Sequence, residues 1–361
     1  MKDASIIGVQ EAVAQLPAFD AVLDARSPAE FALDHIPGAI STPVLDNDER
    51  ARVGALYKAQ GAFPAKRVGA AIVARRIADL LEGALAPLGR DSRLLVYCWR
   101  GGNRSGALAT VLARVGWRTA VLEGGYRAFR RHVLDELERL PATLRFVVLA
   151  GRTGSAKSLL LERAHALGAQ VLDLEAIAQH RGSVLGHLPQ RAQPSQKRFE
   201  TLIWSRLREF DPRRPVLVES ESRKVGQCQL PPRLIEAMRA SPCLVIEASD
   251  SVRASLLLEE YRHFVEDPAH LAARLAALVP QHGAATIERW LGLARSGNWV
   301  GFVQTLLAEH YDPAYDRSMR RNFSRLEDAG AISLGASDPP ALDAAAKDLV
   351  RAADPGTAVP G

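Results

Sequence analysis

The sequence predicts an α/β protein built from two parallel-sheet domains in tandem, the second with a helical C-terminal part. Three observations predict this. The chain has 361 residues, more than one ordinary core accommodates. Short apolar runs alternate with helix-period segments, the pattern of strand–helix–strand units. Two glycine-bearing loops each follow an apolar run and open a helix. Hydrophobic residues at 47% and charged residues at 24% exclude a disordered chain. The net charge of +5 points, weakly when taken alone, to an anionic partner such as nucleic acid or phosphate.

The first domain is expected over residues 1–138. "AVLDA" (21–25) reads as a buried strand, and "VGAAIVARRIADLLEGAL" (68–85) as an amphipathic helix. "RLLVYC" (93–98) is a strand, "SGALATVLARVG" (105–116) a helix and "TAVLEGG" (119–125) a strand. "YRAFRRHVLDELERL" is a helix that stops near Pro141, where a domain boundary is expected. The second domain, 143–335, opens with the strand "LRFVVLAG" (144–151), a glycine turn and the helix "KSLLLERAHALG". "PVLVES" (215–220) and "PCLVIEAS" (242–249) are further strands, and 251–335 reads as helical. Residues 336–361, rich in alanine and proline, are expected as a tail with at most one short helix and a frayed end.

The three cysteines, Cys98, Cys228 and Cys243, are widely spaced and odd in number. They offer neither a disulfide framework nor a CxxC metal site, and a reducing cytoplasm is the expected compartment. No metal ligand set and no tightly bound cofactor are expected. The opening "MKDASIIGVQ" has no signal-peptide apolar region, and no run approaches the roughly 20 apolar residues of a membrane span. Cys228 and Cys243 read as structural.

Cys98 is different. It ends a strand and enters a loop of Trp99, Arg100, Gly101, Gly102, Asn103, Arg104 and Ser105, with a helix beginning near Arg104–Ser105. Loop N–H groups and a helix N-terminus then face one spot, which suits an anion. The glycines let the backbone curl around that spot. A thiol there should be held partly as thiolate, and the same cradle would stabilise a persulfide or perselenide anion. "LDARSPAEFALDHIPGAI" (23–40) together with "YCWRGGNRSG" resembles the rhodanese sulfurtransferase domain over roughly residues 5–135. The resemblance rests on the Asp-x-Arg, the His-Ile-Pro-Gly-Ala segment and the cysteine opening the active loop. It implies that Cys98 is catalytic. Cys98 and Arg104 also keep the Cys-x5-Arg spacing of phosphatases sharing that fold; "HIPGA" and the second domain argue against that reading.

"GRTGSAKS" (151–158) fits the P-loop pattern G-x-x-x-x-G-K-[ST], except that glycine is also expected where Ala156 stands. Gly151, Thr153, Gly154, Ser155, Lys157 and Ser158 would cradle phosphate, with Lys157 pairing its oxygens and Ser158 placed to reach a Mg²⁺. If position 156 needs positive φ, alanine costs about 1–2 kcal/mol; the expectation is a loop relaxed enough to avoid that strain. Glu219, at the end of "PVLVES", is the candidate acidic partner.

The two domains in this order resemble the bacterial tRNA 2-selenouridine synthase family. "DLEAIAQHRGSVLG" (173–186), "QPSQKRFE" (193–200), "VESESRKVG" (218–226) and "HYDPAY" (310–315) add to the resemblance. It implies a transferase acting on tRNA with 2-thiouridine at the wobble position. Geranyl diphosphate would alkylate the sulfur, and selenophosphate would then replace the geranylthio group with selenium. The P-loop would take the prenyl diphosphate and the Cys98 loop would deliver selenium. Candidate tRNA contacts are Arg223, Lys224, Arg317, Arg320 and Arg321, and "RFETLIWSRLREF" (198–210) and "RSMRRNFSR" (317–325) interleave charge with aromatics that could stack on a base. The alternatives are a thiosulfate-type sulfurtransferase with a regulatory nucleotide-binding domain, and a P-loop kinase.

Overall fold

All six apolar runs become parallel strands in the computed structural model, three in each of two sheets. The structure describes residues 3–182, 186, 192–323 and 325–354. Part of the 173–186 segment and the end of the Ala/Pro-rich stretch therefore lie outside the described residues. Two compact units result: Met1–Glu136 with Pro194–Ser205, and Leu137–Gln193 with Arg206–Gly361. No described helix is long and apolar enough to cross a membrane.

The first unit holds a five-stranded sheet of order β1-β5-β4-β2-β3, parallel throughout. Its strands are β1 Ser5–Ile7, β2 Ala21–Asp24, β3 Ala39–Ser41, β4 Arg93–Tyr97 and β5 Arg118–Leu122. In β4, Leu94, Leu95, Val96 and Tyr97 are all fully buried, as expected of a parallel strand covered on both faces. Ile72, Ile77 and Leu80 of helix Ala62–Glu82, and Leu108 and Leu112 of helix Asn103–Val115, pack on Leu23, Leu94 and Val96.

The Asp-x-Arg that begins on the last residue of β2 is a buried scaffold. Arg26 donates to both Asp24 carboxylate oxygens (Nε 2.9 Å, Nη2 2.6 Å) and to the Asp34 carbonyl (2.6 Å), and its guanidinium lies 4.0 Å from the Tyr126 ring centroid. Asp34 Oδ2 in turn accepts from Tyr126 Oη (2.8 Å) and Thr201 Oγ1 (2.9 Å). Thr201 belongs to helix Gln196–Glu209, whose first part the sequence assigned to the second domain. Its Phe199, Ile203 and Trp204 are fully buried, and Trp204 meets Phe129 edge-on at 5.3 Å. Apolar period alone cannot say which core a helix fills.

The second unit has a parallel sheet of order β12-β11-β6-β8-β7. Its strands are β6 Arg145–Ala150, β7 Gln170–Leu172, β8 Pro215–Glu219, β11 Cys243–Ala248 and β12 Gly330–Leu334; β9 Lys224–Val225 and β10 Cys228–Gln229 form a separate antiparallel pair. Two expectations fail here. β12 lies inside the stretch read as helical, its five residues too short and too exposed at alternate positions to signal a strand. The Ala/Pro-rich stretch is no tail: Pro339–Ala353 is a helix with Asp338 as its cap (Oδ1 accepting from Ala341 N, 2.9 Å). Leu342, Ala345, Ala346, Leu349 and Val350 complete the core with Leu160, Leu161 and Ile332. Small alanines let this helix lie close to its neighbours, so its composition reflects packing. Residues between 250 and 323 form a helical layer around Trp290, Phe302 and Leu306.

Helix Lys157–Ala166 begins at Ala156, which has φ 63 and ψ 22. The relaxed loop expected from the sequence is therefore not found; an alanine occupies the left-handed region, where a Cβ crowds the following carbonyl.

Leu349→Ala should lower the unfolding free energy by about 2–5 kcal/mol, as deletion of a fully buried leucine does; a change near zero in urea titration would mean the terminal helix is dispensable. Ala156→Gly should raise it by up to about 1.5 kcal/mol. Strain relief of about 1–2 kcal/mol is offset by about 0.4–1 kcal/mol of added unfolded-state entropy. A destabilised glycine variant would show the loop unstrained.

Two candidate anion-binding loops

Cys98 follows β4 directly and helix Asn103–Val115 starts five residues later. The thiol is 3% exposed. Burial pushes it up, but hydrogen bonds from Ser105 Oγ (3.1 Å) and from the N–H groups of Ser105, Arg100 and Gly102 outweigh burial and hold it below its ordinary value. The loop's donors thus already converge on the sulfur and favour its thiolate form.

The curl depends on glycines. Gly101 has φ 66, and a Cβ there would stand 2.6 Å from the Leu122 carbonyl oxygen. Gly125, at φ 56, passes so close beneath the loop that a Cβ would collide with the Cys98 carbonyl. Tyr126 N and Arg127 N then donate to the carbonyls of Cys98 (2.8 Å) and Trp99 (3.1 Å), and Trp99 stacks on Tyr126 at 5.4 Å. Gly125 and Tyr126 were not among the sequence candidates; the glycine pair ending "TAVLEGG" was their signal. Arg100, Gly102 and Asn103 are exposed at the rim. Arg104 turns to Glu30 (Nη1 to Oε2, 2.8 Å), so its charge is spent on the capping box of helix Pro28–Leu33.

In the second unit, Gly151–Ala156 joins β6 to its helix. Lys157 Nζ donates to the Gly151 carbonyl (2.6 Å) and bridges toward that of Arg152 (3.4 Å). Ser155 Oγ is buried and has no partner among the described residues, so the loop contains an orphaned donor that a phosphate oxygen would satisfy. Gly154 has φ 82.

Around the loop stands a frame the sequence reading missed. Arg253, 2% exposed, donates from Nε to the Thr153 carbonyl (2.9 Å) and from Nη1 to Asp312 Oδ2 (3.0 Å). Gly151 N donates to Tyr315 Oη (2.6 Å), and Arg152 pairs with Asp316 (2.7 Å). Asp312 and Tyr315 lie in "HYDPAY", whose polar residues had no assigned role.

A carboxyl wall faces Lys157 and Ser158. Ser158 Oγ donates to Glu175 Oε2 (2.9 Å), and Glu219 Oε1 accepts from Glu175 N (2.8 Å). Burial, then the neighbouring Glu221, pushes Glu175 up to about 8. Burial and the charges of Asp173, Glu175 and Glu221 push Glu219 well above the usual carboxylate range. Its Oε2 is buried with no partner among the described residues. Burial lowers Lys157 despite these carboxylates.

Cys228 and Cys243 are buried, and burial pushes both thiols up. Arg223 and Lys224 are exposed at the β9–β10 pair. Arg317, Arg320 and Arg321 are exposed on helix Asp312–Asn322, where spacings of three and four residues put them on one face. The interleaved aromatics do not join them: Phe199, Trp204, Phe210 and Phe323 are all buried, so the expectation that they stack on a base is withdrawn.

Comparison with known proteins agrees with both halves. Residues 9–132 match a rhodanese-like domain, and 144–272 match the tRNA 2-selenouridine synthase AAA domain. The tRNA 2-selenouridine synthase of Aeromonas salmonicida is 33% identical over 81% of this chain and 86% of its own. That of Alcanivorax borkumensis is 33% identical over 83% and 90%, and that of Hahella chejuensis 32% over 86% and 89%. With this identity sustained through both domains, the chain belongs to the tRNA 2-selenouridine synthase family.

Proposed function

We propose that the protein converts 2-thiouridine at the tRNA wobble position into 2-selenouridine in two steps, using geranyl diphosphate and then selenophosphate. In the first, the thione sulfur bonds to C1 of the geranyl group, the C1–O bond breaks and diphosphate leaves. This turns a poor leaving group into a thioether. In the second, selenium adds at the same pyrimidine carbon and geranylthiol departs with a proton; the phosphorus–selenium bond of the donor is cleaved by water to give phosphate. The observation that carries the reading is the Cys98 thiol, held low by four donors in a loop shaped for a chalcogen anion.

The P-loop is assigned to the prenyl diphosphate, supported by the orphaned Ser155 hydroxyl and by Lys157 at the helix start. With Glu175 pushed up to about 8, that carboxyl is mostly neutral at pH 7, and the facing wall opposes an incoming diphosphate less than its composition suggests. Among the described residues no three His, Cys, Asp or Glu side chains gather as a metal site. A Mg²⁺ would instead be held by Ser158 and one carboxylate together with the ligand's phosphates, the usual manner for that ion, and would supply charge neutralisation. Arg223, Lys224 and the Arg317, Arg320, Arg321 face are the proposed tRNA contacts, acting on phosphates.

Nucleoside mass spectrometry of tRNA incubated with both co-substrates tests the scheme. Cys98→Ala should accumulate the geranylthio nucleoside and yield no 2-selenouridine; full selenation by this variant would remove Cys98 from the reaction. Lys157→Ala should weaken geranyl diphosphate binding about ten- to a hundredfold, the loss of a charge-assisted contact of about 1.5–3 kcal/mol. Unchanged affinity in calorimetry would assign the loop to another ligand.

A further inference from the structure

The phosphate loop has an apolar neighbour. Helices Asp250–Glu260, Arg262–Glu266 and Trp299–Leu306 flank a narrow, partly open cleft of about 50 Å³. Leu257, Leu258, Tyr261, Phe264, Phe302 and Leu306 line it, and Thr153 of the phosphate loop stands in the same wall. Loop and cleft are contiguous at a second point. Gly154 lies so close to Leu257 that a Cβ would be 2.8 Å from its Cδ1. Arg253, one helical turn before Leu257, holds the Thr153 carbonyl. A surface of hydrocarbon and aromatic rings gives water few hydrogen-bond partners. It gains from receiving an apolar group instead.

We propose that this cleft takes the hydrocarbon chain of a prenyl diphosphate whose head occupies the Gly151–Ser158 loop; the inference rests on the phosphate reading of that loop. The occupant follows from the juxtaposition. A charged head at the loop and a chain along the cleft describe a single-ended amphiphile, with Thr153 and Gly154 at the junction. Aromatic walls of Tyr261, Phe264 and Phe302 suit an unsaturated branched chain. The cleft then sets donor chain length, because each isoprene unit beyond the first must be buried there to add affinity.

Calorimetric titration of the full-length protein with inorganic pyrophosphate, dimethylallyl diphosphate, geranyl diphosphate and ATP tests this. Geranyl diphosphate should bind at least tenfold more tightly than dimethylallyl diphosphate to the unaltered protein. Equal affinities, with pyrophosphate binding still sensitive to Lys157→Ala, would overturn the cleft inference alone. Pyrophosphate binding indifferent to Lys157→Ala would overturn the loop reading and the inference with it. Leu258→Trp, at a half-buried wall position, should abolish the geranyl advantage and leave pyrophosphate affinity unchanged. A geranyl advantage that survives Leu258→Trp would place the chain elsewhere. ATP binding that competes with geranyl diphosphate and is lost in Leu258→Trp would show the cleft to be a nucleobase site, and would also overturn it.

Discussion

Both candidate sites depend on one constraint: a buried parallel strand must turn into a helix within a few residues while its backbone N–H groups find partners. At Cys98 the turn takes five residues and at Gly151 six. The first N–H groups of any helix have no partner within it. In the first loop the cysteine sulfur collects the backbone N–H groups of Ser105 in the first turn, of the capping Gly102 and of Arg100 in the loop, and a serine hydroxyl. In the second, Tyr315 takes Gly151 N, while Ser155 Oγ remains without a described partner. The same geometry thus yields one loop whose donors converge on its own sulfur and one that keeps a buried hydroxyl without a described partner.

The cost of such tight turns appears in the backbone. Gly101, Gly124, Gly125 and Gly154 all have positive φ, as glycine allows. Ala156 has it as well, without that freedom. A strained residue persists only where its surroundings over-determine it, and here they do. Arg253 and Tyr315 fix the loop's backbone at Thr153 and Gly151, while Leu160 and Leu161 anchor the helix that follows in the core.

Much of this was legible in the sequence because the signals were local. β2, β4, β5, β6, β8 and β11 announced themselves as apolar runs, and the glycine loops as motifs. What stayed hidden was either too short to carry a period or decided by packing. β1, β3 and β7 have three residues each. β12 is defined by pairing with β11, a partner that its own "GAISL" does not reveal. Helix Pro339–Ala353 looked like a tail because alanine and proline suit linkers as well as close-packed helices. The aromatics of 198–210 looked like a stacking surface because a sequence shows residue type and not burial. Arg253 and Tyr315 were unreadable because they lie 100 and 164 residues from the atoms they hold.

Charge sharpens the picture of the second loop. Arg152 is spent on Asp316, Arg253 on Asp312, and Lys157 folds back on the Gly151 carbonyl. The carboxyls of Glu175, Glu219 and Glu221 crowd the opposite side. A phosphate bound here, as proposed, would gain backbone N–H groups, the Ser155 hydroxyl and one lysine that must first release its own contact. That is a modest set of donors for a diphosphate beside a carboxyl wall, and the deficit calls for affinity from another part of the ligand. The apolar cleft sharing Thr153 with the loop is where that affinity can come from. On the proposed reading, a head site that is weak by itself would favour a tailed diphosphate over free pyrophosphate.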